Sequence, residues 1–456
     1  MRIAIIGAGL AGLTAAYELR ENDVDVYEAT DRIGGKLYTV PFEAGPTDMG
    51  AEAFLSRRTD AVEFISELGL KDSLVAPSGL GSLVYAGGRA LPLPRGGVMG
   101  IPSTGQAVAH LVGAEAAARI DAESDAPGFT WEAGGDVSVG ALVRARYGDE
   151  VVDVVVSALL GGVYSCSADD LGLRATLPQL AGELDRLAAD GPVHLRDAVG
   201  NLEASRAELP TGQGSVFSTF REGYQELYEA LAEKSGADIY VDAFISGISS
   251  SAAGYRLAGG EDKDYDRVIL AVPAPTAALL LKQVAPEAAS ALSAVKLANS
   301  VVVGMRFATD AGLPNNSGVL VASGEQGVRA KAFTFSSRKW PHLAKRGGAL
   351  VRASFGRFGD DVALRASEDD LVDWALDDLQ TITGFDGRAA GLEEIYTQRW
   401  FGGLPRFDAS HLATVEAVRG HLAGTAGIEV AGAWVGGVGV PDVIAGARRA
   451  AAEVLR

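Results

Sequence analysis

The chain has 456 residues and a net charge of −19, with 48% hydrophobic and 22% charged residues; two domains or slightly more are expected of a soluble globular protein of this length. The acidity argues against nucleic acid, which needs a basic footprint, and against general attraction to anionic lipid, so an anionic ligand would need a local cluster of arginines. The single cysteine, Cys166, leaves no internal disulfide or thiolate metal site and fits a reducing cytoplasm, and His110, His194, His342, His411 and His421 lack HxH or HExxH spacing, so no metal is expected.

Residues 2–6, RIAII, predict a buried parallel strand. Gly7-Ala8-Gly9-Leu10-Ala11-Gly12 fits GxGxxG, Leu13 to Arg20 predicts a helix, and Val24 to Tyr27 predicts a second strand ending in Glu28. In such a unit Gly7 permits the tight turn, Gly9 admits a pyrophosphate to the backbone, and Gly12 lets the helix approach the strand. The helix N-terminus stabilises phosphate, and Glu28 accepts hydrogen bonds from a ribose diol, which disfavours NADP. A bare glycine turn would leave Glu28 a coincidence. Arg2 before an apolar run looks like a signal peptide, but Tyr17-Glu18-Leu19-Arg20 continues it as an amphipathic helix. No apolar run approaches the roughly 20 residues that span a bilayer.

A second glycine pair follows in Asp31-Arg32-Ile33-Gly34-Gly35-Lys36-Leu37, ahead of Met49-Gly50-Ala51-Glu52. This arrangement resembles the flavin amine oxidase superfamily, in which the acid and the stretch after it run beside FAD. The resemblance implies cofactor contacts from Gly7, Ala8, Gly9, Leu10, Ala11, Gly12, Glu28, Ala29, Arg32, Gly34, Gly35, Lys36, Gly50, Ala51 and Glu52. Arg32 and the Gly34–Gly35 backbone would lie near the pyrophosphate; a surface ion pair is the alternative for Arg32.

Residues 85–212 are mostly helical in pattern and rich in alanine and aspartate. Within them Gly161-Gly162-Val163-Tyr164-Ser165 leads to Leu171-Gly172-Leu173-Arg174-Ala175-Thr176, which resembles the GGVYAGDPxxLSLRATFP signature of protoporphyrinogen/coproporphyrinogen oxidases. Ser165-Cys166-Ser167 stands in place of AGD, Leu177 in place of Phe, and the proline before the glycine pair is absent. Residues 213–273 repeat strand, helix and strand: Val216 to Phe220, Tyr224 to Lys234 stopped by Gly236, Ile239 to Val241, and a buried strand in Tyr265 to Pro273. The resemblance brings this region back to the FAD domain, with Ile245 either on the adenine or a plain core residue.

Phe333-Thr334-Phe335-Ser336-Ser337-Arg338-Lys339-Trp340-Pro341 resembles the family's TFSSRKWP, and Arg399-Trp400 with Leu404-Pro405 its RW…ALP element, which adds Trp400 to the cofactor contacts. At the C-terminus Ile428 to Ala431 predicts a strand and Gly432 to Gly439 a loop, with Pro441 in the first turn of a helix. There Val438 to Val443 resembles GVGIPDCI, implying that Gly432, Gly439, Val440 and Val443 lie by the flavin and that the helix N-terminus favours negative charge on it. An ordinary terminal helix behind a glycine loop is the alternative.

The fold expected is α/β. A discontinuous, Rossmann-like FAD-binding domain takes residues 1–55, 205–290 and 410–456, a mixed α/β substrate domain takes 56–84 and 291–409, and a mainly helical subdomain takes 85–204. The resemblance implies six-electron oxidation of coproporphyrinogen III, or alternatively protoporphyrinogen IX, by dioxygen through non-covalent FAD in heme biosynthesis. Leu320 and Phe335 would wall the macrocycle, Gly162 would admit it closely, and Arg57, Arg58 and Arg95 would meet its carboxylates, each with a solvated surface charge as the alternative. No side chain presents itself as a general base. An amine oxidase, a carotenoid desaturase or a flavin-free GTPase-inhibitor-like binding protein would share the glycine ends but leave GGVYS and FSSRKWP unexplained. Peripheral membrane contact and oligomeric state stay open.

Overall fold

The computed structural model describes residues 1–208 and 215–456. Its contacts divide the chain into two compact units, one built from Met1–Ala76, Gly214–Lys296 and Ala413–Arg456, the other from Pro77–Gln213 and Leu297–Leu412.

In the first unit, RIAII has four of its five residues buried, so it sits inside a sheet covered on both faces. The sheet is five-stranded and parallel, in the order Asp238–Tyr240, Asp23–Tyr27, Arg2–Ile6, Arg267–Leu270, Ile428–Val430. Against it pack helices Leu10–Glu18 and Val440–Val454. The second helix repeats Ile444, Ala447, Ala451 and Val454 at spacings of three and four, one buried face in a common core with Leu10, Leu13 and Ile5. Arg448 also holds Glu18 at 2.8 Å. Helix Gln225–Ser235 ends where Gly236 turns left-handed at φ +62°. Helix Thr59–Glu67 joins this core through Phe64 and Ile65, both fully buried. Residues 56–76 therefore belong with the parallel sheet, in contrast to the expected substrate domain, because this helix's apolar face has its partners there.

The second unit carries a seven-stranded sheet in the order Leu392–Pro405, Leu297–Phe307, Ala349–Phe355, Ala332–Thr334, Gly318–Val321, Leu83–Ala86, Arg89–Pro92. All its pairings are antiparallel except Gly318–Val321 with Leu83–Ala86. Helix Glu368–Thr383 shares a core with it through Leu371, Ala375, Leu376, Leu379 and Ile382. Ser367 caps that helix, accepting from the Asp370 N–H at 3.1 Å.

Two expectations change here. The stretch taken as helical from residue 85 begins instead with a β-hairpin, whose turn residues Gly87 and Gly88 take φ +56° and +73°, as a two-residue hairpin turn requires. The helices from Ala114 to Ala207 then fall in the same compact unit as the seven-stranded sheet, not in a third body. The boundary expected near 204–205 is followed by residues 209–214, which lie outside the described residues. Among the described residues no helix is long and apolar enough to cross a membrane.

Candidate active site

The glycine loop of the first unit is held by its own backbone. The Gly7 N–H donates to the Tyr27 carbonyl at 2.7 Å, and Gly7 takes φ +103°. A β-carbon on Gly12 would stand 1.9 Å from the Gly7 carbonyl oxygen, so the helix enters as close to the turn as glycine allows. The second glycine pair closes on the first: the Gly34 N–H donates to the Ala8 carbonyl at 2.8 Å, and a β-carbon on Gly35 would come within 2.8 Å of the Gly9 Cα. Two bare strips of backbone thus lie side by side. Leu10 and Ala11 turn their side chains into the core, leaving only their backbone to the loop.

Glu28 stands at the end of the neighbouring strand. Its Oε2 accepts from the Ala8 N–H at 2.9 Å, and its Oε1 accepts from the Thr30 N–H and hydroxyl, each at 2.9 Å. The next residue, Ala29, is exposed. Arg32 behaves as a loop organiser: its guanidinium donates to the Gly35 and Ile33 carbonyls at 2.9 and 3.2 Å and lies 3.8 Å from the centre of the Tyr38 ring. The Lys36 carbonyl accepts from the Ala51 N–H at 3.3 Å, and a β-carbon on Gly50 would stand 2.0 Å from that carbonyl oxygen. Gly50, Ala51 and Glu52 are thereby fixed beside the second glycine pair. Ile245 is 4% exposed and packs with Tyr27 and Leu257 around Gly260, the environment of a core residue.

The C-terminal loop is more structured than expected, since Ala433–Gly436 forms one helical turn inside it. Gly432 takes φ +125°, Gly439 caps helix Val440–Val454, and Val443 closes its first turn by donating to the Gly439 carbonyl at 2.9 Å. Val440 is buried in the core, with Val443 partly buried against it. Asp442 folds back over the loop, so close that a β-carbon on Gly439 would lie 2.8 Å from its Oδ2. Arg58 grips that carboxylate at 2.5 Å and Asp60 at 2.8 Å. The Arg58 guanidinium is thus engaged by two internal carboxylates while its side chain stays 40% exposed. Arg57 is exposed.

The remaining candidates lie in the second unit. Gly162 is exposed near the end of helix Ser157–Tyr164, and a β-carbon there would meet Leu320 Cδ2 at 3.1 Å. These two residues are brought together. Phe335 is not available as a wall: it is fully buried in the core between the sheet and helix Glu368–Thr383. Arg95 is exposed, and Trp400, 9% exposed, lies on strand Leu392–Pro405 opposite Ser300.

The model of the flavin containing amine oxidoreductase family matches residues 10–455. The chain belongs to that family. Coproporphyrinogen III oxidase of Mycobacterium tuberculosis (strain ATCC 25618 / H37Rv) is 40% identical over 458 residues, covering 99% of this chain and 96% of the relative. The Bacillus subtilis (strain 168) enzyme of the same name is 29% identical, covering 99% and 97%. Among solved structures, a protein from Exiguobacterium sp. 255-15 provisionally assigned as a protoporphyrinogen oxidase aligns with a TM-score of 0.86 at 27% identity, covering 99% of this chain and 98% of its own.

The flavin that gives the family its name can be tested against these residues. The paired glycines leave space that side chains would fill, and the carboxylate of Glu28 retains acceptor capacity on Oε2, so the cradle fits a nucleotide-bearing cofactor. Sequence reasoning about this flavin oxidoreductase missed four residues: Asp442, Ser165, Lys331 and Arg357. Asp442 was visible only as part of a Pro-Asp step. Ser165 was visible as a departure from the family signature, and it takes the left-handed φ of +53° at the end of its helix. The two cations carry no local signal. Cys166 beside them is fully buried, and burial, reinforced by Asp170, pushes its thiol up to about 12, which makes it inert as a nucleophile.

Proposed function

We propose that this protein oxidises coproporphyrinogen III to coproporphyrin III in heme biosynthesis, in the cytoplasm, with non-covalently bound FAD and dioxygen as the terminal acceptor. The observation that carries the reading is 40% identity, across 99% of the chain, to a coproporphyrinogen III oxidase. FAD, when bound, supplies a two-electron acceptor, so removal of six electrons takes three turnovers and yields three hydrogen peroxides.

The first unit would serve as a Rossmann-like domain. Gly9, Gly34 and Gly35 offer backbone to a pyrophosphate. Helix Leu10–Glu18 has no acid in its first turn, so its positive end stays free for phosphate. Glu28 Oε2 has room for a ribose hydroxyl. The first turn of helix Val440–Val454 presents backbone N–H groups toward the flavin, and Arg58 offsets the charge that Asp442 places there. In favour of non-covalent attachment, the single cysteine, Cys166, which a thioether link would need, is buried.

In the second unit Gly162 and Leu320 would lie against the macrocycle, with Trp400 toward the cofactor. Arg95 there is exposed, as is Arg57 in the first unit, and either guanidinium could take a propionate in two-pronged fashion. These residues bind and orient; none is assigned as a base.

Aerobic assay of the purified, FAD-loaded protein with each porphyrinogen, followed by porphyrin fluorescence, tests the reading. Faster oxidation of coproporphyrinogen III is expected. Activity confined to protoporphyrinogen IX would move the substrate to the one suggested by the Exiguobacterium neighbour. A protein that takes up no FAD overturns the enzyme reading altogether.

A further inference from the structure

Lys331, just before strand Ala332–Thr334, is 5% exposed. Its ammonium donates to the Ser165 hydroxyl at 2.5 Å and to the Gly356 carbonyl at 2.7 Å, and among the described residues it has no carboxylate in ion-pair contact. A polar head group buried away from any carboxylate is costly unless it is hydrogen-bonded, so these two bonds fix where the side chain ends. Ser165 is the left-handed cap of helix Ser157–Tyr164; its N–H donates to the Gly161 carbonyl at 3.1 Å, and its carbonyl accepts from the Phe358 N–H at 2.7 Å. One helical turn before it stands Gly162. The main chain of Lys331 acts on the opposite side, its carbonyl accepting from the Val321 N–H at 2.9 Å, next to Leu320. Arg357 braces the same place. It donates to the Val321 carbonyl at 2.9 Å, and its buried Nε, without a partner, lies 3.5 Å from where a Gly161 β-carbon would be.

We propose that Lys331 is a positioning residue: through Ser165 on one side and Val321 on the other, it fixes the separation of Gly162 from Leu320 at the face that receives the porphyrinogen. The inference rests on the functional reading above for what that face binds, while the tether itself is a claim about this chain alone. Lys331 touches neither substrate nor flavin in this scheme. Its contribution is to hold an exposed glycine at a fixed height against a leucine, which a neutral side chain without donors does not do.

The test uses the FAD-loaded full chain carrying Lys331→Met, which keeps the length and apolar bulk of the side chain. Hydrogen exchange is followed over residues 161–166, with residues 7–12 as an internal control, beside steady-state oxidation of coproporphyrinogen III. Exchange in 161–166 is expected to accelerate about tenfold with the control unmoved, and KM to rise about fivefold while kcat falls far less. Wild-type exchange and KM overturn the proposal, and so does a parallel loss of protection in both segments, which would make Lys331 a general core residue. If Lys331→Met does not fold, Ser165→Ala removes the acceptor hydroxyl and is judged by the same two readouts. Wild-type protein that oxidises no porphyrinogen would remove the functional reading, and the exchange arm would still decide the tether.

Discussion

At Gly12 a β-carbon would sit 1.9 Å from a carbonyl oxygen, whereas at Gly9 it would meet only the Gly35 Cα at 3.6 Å, an ordinary contact. The two glycines therefore separate folding from binding. Gly12→Ala should fail to fold or melt far lower. Gly9→Val should fold with little change in melting temperature and lose FAD affinity about tenfold or more, roughly 1.4 kcal/mol, measured by flavin fluorescence titration; unchanged affinity would remove the pyrophosphate from this loop. Arg58 supplies a different contrast. It and Asp442 are each more than a third exposed, so their ion pair is worth about 1 kcal/mol or less. Arg58→Ala should cost that much in urea denaturation and leave coproporphyrin affinity within about twofold; a tenfold loss would restore the propionate role. Lys331 gives a pH dependence. Burial, aided by Arg357, lowers its pKa from 10.5 to about 7. The unfolded chain thus holds a proton between pH 7 and 10 that the folded chain has released, and this group's contribution to stability rises with pH across that window, by up to about 1.4 kcal/mol per unit. The melting temperature of wild type should accordingly rise between pH 7 and 9 relative to that of Lys331→Met, which lacks the titrating group.

At the scale of elements, the two helices that follow glycine loops meet face to face in one core. Ala447 is fully buried there, and Ala447→Leu should overpack the contact, lowering stability by about 1–3 kcal/mol in thermal melts and weakening flavin retention with it. Each loop and helix was legible by itself from local signals, glycines where backbone must pass, Pro441 in a first turn, alanines at close spacing, while their packing on one another was not. The hairpin at Leu83–Pro92 was missed, although two successive glycines between short apolar runs are what a tight hairpin turn demands, because the alanine-rich helices beyond it drew the boundary too early. Phe335 shows how parity was overlooked. Phe333 and Phe335 are two apart and both buried, at 2% and 0% exposure, as alternation along an extended segment requires, so a residue that shares Phe333's face belongs to the core. Contacts such as Arg58 with Asp442, separated by 384 positions, or Lys331 with Ser165, separated by 166, leave no trace in local pattern. Only the fold brings such partners together.

For the molecule as a whole, the buried thiol of Cys166 reports on the second unit. Native protein should resist alkylation at pH 8 over hours, and one equivalent of thiol should react once urea opens that unit, so labelling against denaturant concentration measures its unfolding without a fluorophore. Rapid labelling of native protein would mean that this interior opens locally. The parallel sheet of the first unit has a consequence in time rather than space. Its central strand is Arg2–Ile6, but an outer strand, Ile428–Val430, and the helix that covers it come more than four hundred positions later. In synthesis the glycine loop precedes that helix by more than four hundred residues, so helix Leu10–Glu18 lacks one of its packing partners until Val440–Val454 is made. Chains that stop before residue 428 should therefore bind no flavin, as fluorescence titration would show, and should leave one face of helix Leu10–Glu18 unpaired for chaperones to meet.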